Sequence, residues 1–352
     1  MLREVDRSKL DIEAAGDPTG SIFGLPYEEH ECSLVLVPVP WEPTTSYGRG
    51  TAAGPEAIRI ASPQLDLFDP ELAELGIGEP WHYGIFMRPE DETVRRLNAE
   101  ACRLADQVRR GDGARAAEAL AGVNARSDEL NAWVRRCTQE LLDQDRIVGI
   151  VGGDHSVPFG AIEAHARRYP GMGILHVDAH ADLRDRYEGF AHSHASIMRN
   201  VLDAVGDLGA LVQVGVRDVS RAEYELAHLH PKVTPWPQHV IGRRLAEGQP
   251  WAALCREIVE ALPSHVWVSF DIDGLDPSLC PSTGTPVPDG LSFAHAMTLC
   301  ATLLRCGKTV VGFDLVEVAP SGVVGDEWDG NVGARVLHRL CGLAIGSRLA
   351  SA

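Results

Sequence analysis

The sequence predicts an α/β protein, a mostly parallel sheet covered by helices on both faces, and three observations lead to that expectation. From residue 147 onward, short apolar runs alternate with longer segments of helical periodicity, the pattern of parallel strands joined by crossover helices. Three of these runs, Ile147 to Val151, Gly173 to Val177 and Val266 to Phe270, are followed at once by clusters of Asp and His. In an open parallel sheet the C-terminal strand ends face one crevice, where ligands bind. No internal repeat or low-complexity tract interrupts the pattern. The simplest organisation is therefore an N-terminal arm, residues 1–31, followed by one domain, residues 32–352.

Taken in order, residues 1–31 are polar and acidic with little periodicity, and read as an extended surface arm, a candidate for a subunit contact. The run from Leu34 reads as a first strand that Pro38 and Pro40 terminate. A glycine-rich loop from Ser46 leads to a helix starting near Pro55. No Gly-Lys-Ser/Thr ending is present, which excludes a P-loop. Residues 97–143 are mostly helical in pattern, with breaks expected at 111–113 and near Gly122 to Ser127, both read as polar outer loops. Strands are expected near 147–151, 173–177, 210–216, 265–270 and 309–314. Helices are expected near 157–168, 195–205, 251–262, 291–305 and 331–345.

Composition sets limits on function. Lys plus Arg total 32 against 50 Asp plus Glu, a net charge of −18, which opposes nucleic-acid binding by counterion release. There is no polybasic segment for anionic lipid and no apolar stretch of about eighteen residues, so no membrane association is expected. Eight cysteines without Cys-x-x-Cys spacing suit reduced thiols, and the start lacks the apolar core of a signal peptide. The expected location is the cytoplasm.

The chemistry concentrates in three motifs. Gly152-Gly153-Asp154-His155, Asp178-Ala-His180-Ala-Asp182 and Asp271-Ile-Asp273 bring six potential ligands, His155, Asp178, His180, Asp182, Asp271 and Asp273, to three strand ends. Alternate side chains of an extended segment share a side, so the acids and imidazole of each motif point into one site. Four carboxylates crowd together only where cations neutralise them, since like charges raise one another's pKa. A pair of divalent ions is the expectation. Mixed imidazole and carboxylate donors suit Mn2+, Ni2+, Co2+ or zinc.

GGDHS at 152–156, DAHAD at 178–182, SFDIDGLDP at 269–277 and GFDLVEVAP at 312–320 together resemble the ureohydrolase family, which includes arginase, agmatinase, formimidoylglutamase and guanidinobutyrase. The resemblance runs from about residue 33 to the C-terminus. It implies a three-layer α/β/α fold, a binuclear manganese site, trimers or hexamers, and hydrolysis of a guanidino or formimino C–N bond by hydroxide held between the metals. By position, it implies that His155 and Asp182 bind one ion, His180 and Asp273 the other, and Asp178 and Asp271 bridge them. Asp182 would pass a proton to the leaving amine, Glu317 would pair with the guanidino cation, and His194 would shuttle protons. His194 is preferred to His192 for that role. Asp154 and His176 are candidates for support behind the ligands.

The segment DLRDRYEGFAHSHASIMRN at 182–200 looks most like the agmatinase branch, making agmatine the expected substrate and putrescine plus urea the products. Arginase carries Asn where this chain has Arg184, which disfavours arginine. Arg184 either pairs with a substrate carboxylate or bridges outward to Asp185 or Glu188. Guanidine, 4-guanidinobutyrate and formiminoglutamate stay open as alternatives, and Asp289 would favour a cationic tail if it reaches the mouth. A mononuclear deacetylase-like hydrolase would not need Glu317 or the second Asp-x-Asp motif. A catalytically silent partner subunit would be signalled by a lost ligand, and all are present. No Gly-x-Ser-x-Gly elbow suggests a serine hydrolase.

Overall fold

The computed structural model describes residues 2–111 and 113–350. Its eight strands, β1 (Leu34–Val39), β2 (Ile85–Met87), β3 (Ile147–Gly152), β4 (Gly173–Val177), β5 (Ala210–Val214), β6 (Val233–Trp236), β7 (His265–Asp271) and β8 (Thr309–Val316), form one sheet in the order β2-β1-β3-β8-β7-β4-β5-β6. Every neighbouring pair is parallel. Eleven α-helices are described: α1 (Gly54–Ala61), α2 (Pro70–Glu74), α3 (Glu92–Arg110), α4 (Ala114–Asp143), α5 (Phe159–Arg168), α6 (Ile197–Ala204), α7 (Arg221–Leu229), α8 (Gln238–Ala246), α9 (Trp251–Glu260), α10 (Phe293–Arg305) and α11 (Trp328–Ala350).

Strand alternation divides the core in two. Leu34 and Leu36 of β1 join the layer filled by α1, α8, α9, α10 and α11, whereas Val35, Val37 and Val39 face that of α3, α4, α5, α6 and α7. Both faces of the sheet are thus covered, which is why its strands read as near-continuous apolar runs. Each fully buried Val, Leu or Ile contributes about 1.5–3 kcal/mol of transfer free energy.

Several sequence expectations need correction. Pro38 lies within β1 and does not end it. The Leu36 carbonyl accepts from Arg88 N–H on the β2 side and the Val39 carbonyl accepts from Gly153 N–H on the β3 side. Pro38 therefore aims its missing donor toward β2, which stops at Met87, and no ladder bond is lost. No break occurs near Gly122 to Ser127. The helix α4 runs through it, with Val123, Ser127 and Leu130 buried at helical spacing, and the bare Gly122 lets Leu104 of α3 approach: an added Cβ would lie 2.8 Å from that side chain. The break at 111–113 stands at Gly111 and Gly113, while Asp112 is outside the described residues. Nor is the N-terminal segment only a surface arm, because Ile22, Phe23, Leu25 and Tyr27 are buried and Phe23 meets the His338 ring edge-on at 5.3 Å.

Strands β2 and β6 and helices α2, α7 and α8 were not expected. Three residues are too few to show a period, and Pro235 disguises β6, an edge strand that pairs with β5 alone. Among the described residues, no helix is long and apolar enough to cross a membrane. All eight cysteines are free, five of them buried.

Candidate metal centre and active site

Four neighbouring strands in the middle of the sheet, β3, β8, β7 and β4, deliver the site. His155 follows β3, Asp178 to Asp182 follow β4, Asp271 ends β7, Asp273 sits in the 3-10 turn Ile272–Gly274, and Glu317 follows β8. The acids converge through turns rather than through extended strand alternation. Asp271 caps its turn by accepting from Asp273 N–H at 2.8 Å, Asp178 accepts from His180 N–H at 2.5 Å, and Asp182 has φ 54°. Glu317 has φ 63°. Positive φ in a non-glycine residue is strained, of order 1–3 kcal/mol, and such strain concentrates at functional sites.

The six ligand candidates meet in one cluster. His155 Nδ1 lies 2.9 Å from Asp178 Oδ2, 3.1 Å from Asp182 Oδ2 and 3.2 Å from Asp271 Oδ2. His180 Nδ1 lies 3.1 Å from Asp273 Oδ2 and 3.4 Å from Asp178 Oδ1. Asp178 belongs to both halves, as a bridging ligand would. Behind His155, Ser269 donates its hydroxyl proton to Asp314 at 2.9 Å, so its oxygen is left to accept from His155 Nε2–H at 2.9 Å. That network assigns the proton to Nε2 and leaves Nδ1 for a metal.

The electrostatics test whether cations fit. Burial first, then the Asp178 charge, pushes Asp182 up to about 7. Burial, then Asp273 and Asp178, pushes Asp271 well above the carboxylate range. Burial also acts on Asp178, but His176, His155 and His180 outweigh it and hold that acid well below its ordinary value. His155 and His180 are raised well above the usual imidazole value because the surrounding carboxylates outweigh burial. The cluster draws positive charge from its own histidines. This donor set fits a pair of divalent cations, which would replace those protons.

A cavity of about 150 Å³ opens beside the cluster, lined by His180, Asp182 and His194 with Arg184, Tyr187 and Glu223 around it. His194 lies 3.5 Å from the Thr44 hydroxyl and 3.4 Å from the Ser46 hydroxyl, and burial followed by the His180 and His155 charges keeps its pKa low. His192 turns away to Asp128 and Phe159. Glu317 is buried deeper, accepting from His155 N–H at 2.8 Å, with its carboxyl raised by burial and then by Asp154. Asp154 is tied to Thr44 and Ser156.

Arg184 bridges neither Asp185 nor Glu188. It lies 3.5 Å from Glu223 and its guanidinium stands over the Tyr187 ring at 5.0 Å, while Asp185 pairs with Arg186 and Glu188 with Arg109. Asp289 accepts from Gln238 and from Gly290 N–H and is not among the cavity residues. Sequence reasoning missed Glu223, Tyr187, Ser269, Asp314 and Gln213. The Ser220-x-x-Glu223 capping box was a signal for Glu223, and Tyr187, Ser269 and Asp314 lie within the segments quoted above without having been given a role.

The N(1)-aminopropylagmatine ureohydrolase of Thermus thermophilus is 36% identical over 304 residues, covering 86% of this chain and 88% of that protein. The agmatinase of Bacillus cereus is 28% identical over 294 residues, covering 84% and 85%. The crystal structure of agmatine ureohydrolase of Thermoplasma volcanium superposes with a TM-score of 0.68 at 23% identity, over 98% of this chain and 99% of that one. The model of the arginase family matches residues 32–342, a span that holds all four site-bearing strands, and the chain belongs to that family of ureohydrolases.

Proposed function

We propose that the protein hydrolyses a guanidino C–N bond to release urea and an amine, with agmatine, giving putrescine, as its leading substrate. The observation that carries this reading is the convergence of three carboxylate oxygens within 3.2 Å of one nitrogen of His155. His155 and Asp182 would hold one divalent ion, His180 and Asp273 the other, with Asp178 and Asp271 between them. Such ions, when bound, acidify water and polarise the group they face. Mn2+ is the leading ion, with Ni2+ and Co2+ as alternatives that the same donors accept.

The chain's own residues supply the rest. Glu317, buried behind His155, pairs its carboxylate with the cationic guanidino head. Asp182 also lines the cavity, which supports the reading that its carboxylate takes a proton there and hands it to the departing amine. His194 lies at the cavity wall beside the Thr44 and Ser46 hydroxyls, and it is the imidazole that would carry protons between the cavity and solvent. Arg184 does not oppose a cationic tail, since Glu223 and Tyr187 engage its guanidinium. The relatives named for agmatine and aminopropylagmatine support such a tail. We further infer that residues 32–352 act as one catalytic unit in a cytoplasmic homo-oligomer, a trimer or hexamer.

The test is urea release from agmatine, arginine, 4-guanidinobutyrate and guanidine, with formamide release from formiminoglutamate beside them, each with Mn2+ and Ni2+. Agmatine is expected to lead. Turnover of formiminoglutamate alone would overturn guanidino hydrolysis.

A further inference from the structure

His176 lies inside β4, fully buried, two residues before Asp178, and the chemistry above does not use it. Proximity alone does not define its role, since it stands in one potential ligand group with His155, Asp178 and Asp182. Its neighbour across the sheet does. Gln213 of β5 pairs with His176 in register, and its buried side-chain nitrogen lies 2.6 Å from Ala181 O and 3.0 Å from His176 Nδ1. A carbonyl only accepts, so the group facing Ala181 is the amide NH2, and its second hydrogen reaches His176 Nδ1. Nδ1 is therefore the acceptor and the imidazole proton sits on Nε2. That N–H donates to Asp178 Oδ2 at 2.9 Å.

We propose that His176 is a positioning residue and not a metal ligand: in the tautomer fixed by Gln213, it donates the hydrogen bond that holds the Asp178 carboxylate toward both metal positions. This rests on the reading of Asp178 as a bridging ligand. His155 and His180 also contact Asp178 through their Nδ1 atoms, but on the binuclear reading those two atoms would be metal donors. His176 alone among the three keeps its proton for Asp178. Removing such a partner behind a ligand costs roughly 10–100-fold in metal affinity or activity.

Two measurements test this. In the ¹⁵N spectrum of the unsubstituted apoprotein near neutral pH, His176 is expected to carry its proton on Nε2; a proton on Nδ1 instead would overturn the proposal. In chelator-competition titrations with Mn2+, His176→Phe is expected to bind two ions, at least one of them about 10–100-fold more weakly, with the circular dichroism spectrum of the apoprotein unchanged. His176→Gln, which keeps an N–H donor, should recover most of that affinity. Wild-type affinity in His176→Phe would contradict a positioning role, and loss of one whole ion without recovery in His176→Gln would make His176 a ligand. If the unsubstituted protein binds no ion, the metal-centre reading falls instead, and the tautomer is still decided by the spectrum.

Discussion

Asp271 ends β7 with one oxygen 3.2 Å from His155 Nδ1 and the other accepting from Asp273 N–H, so one side chain ties both halves of the cluster together. Asp271→Ala is expected to abolish urea release and lower metal content with the circular dichroism spectrum intact; full activity at unchanged metal content would contradict a binuclear site. Arg184 makes a different case. Its partners are Glu223 at 3.5 Å and the Tyr187 ring, and it is half-exposed, so Arg184→Ala should cost only about 0–1 kcal/mol of stability. Its KM for agmatine should stay within about twofold, below the scale of a 1.4 kcal/mol contact, and a tenfold rise would show that Arg184 orders the mouth. The clustering of the six candidate donors was legible in the sequence because each motif packs them within five residues of a strand end. Glu223, Ser269 and Gln213 were not, because their meaning depends on which strands become neighbours.

At the scale of elements, the turn after β3 sets the position of His155. Gly153 passes so close to Trp41 that an added Cβ would lie 1.8 Å from its carbonyl oxygen, the atom that accepts from Asp154 N–H at 2.7 Å. Gly153→Ala must displace β3 from the segment after β1, and is expected to cost at least about 3 kcal/mol, read as a lowered denaturation midpoint together with weaker metal binding. Unchanged stability would mean that this turn tolerates movement. Element type was readable wherever a run exceeded about five residues with a clear period. It failed at β2, β6 and α2, which are short, at the nine-residue helices α7 and α8, and at Gly122 to Ser127. There, polar composition suggested a loop, although Val123 and Leu130 already kept the helical spacing that packs α4 on α3.

For the whole molecule, acid sensitivity follows from buried histidines away from the candidate metal centre. Burial pushes both His165 and His338 down to about 4 from an ordinary 6.5. The unfolded chain takes up these protons first, so the stability each neutral ring provides is complete above about pH 6.5 and lost as the pH falls toward 4. Each is worth on the order of 3 kcal/mol over that window. Denaturant unfolding at pH 7.5 and 4.5 should give a smaller loss in His338→Leu than in the parent, and an equal loss would contradict the assignment. The parallel three-layer fold was legible as a whole, because alternating strands and crossover helices leave few other topologies. The placement of residues 22–27 in the core was not, since four apolar residues scattered in a polar segment show no period.

Titration of Mn2+ into the apoprotein, following bound metal and urea release from agmatine together, tests the binuclear hydrolase most directly. Two equivalents per chain are expected to bind, with turnover appearing as the second site fills. Two bound ions with no urea, or turnover that persists in excess chelator, would contradict it.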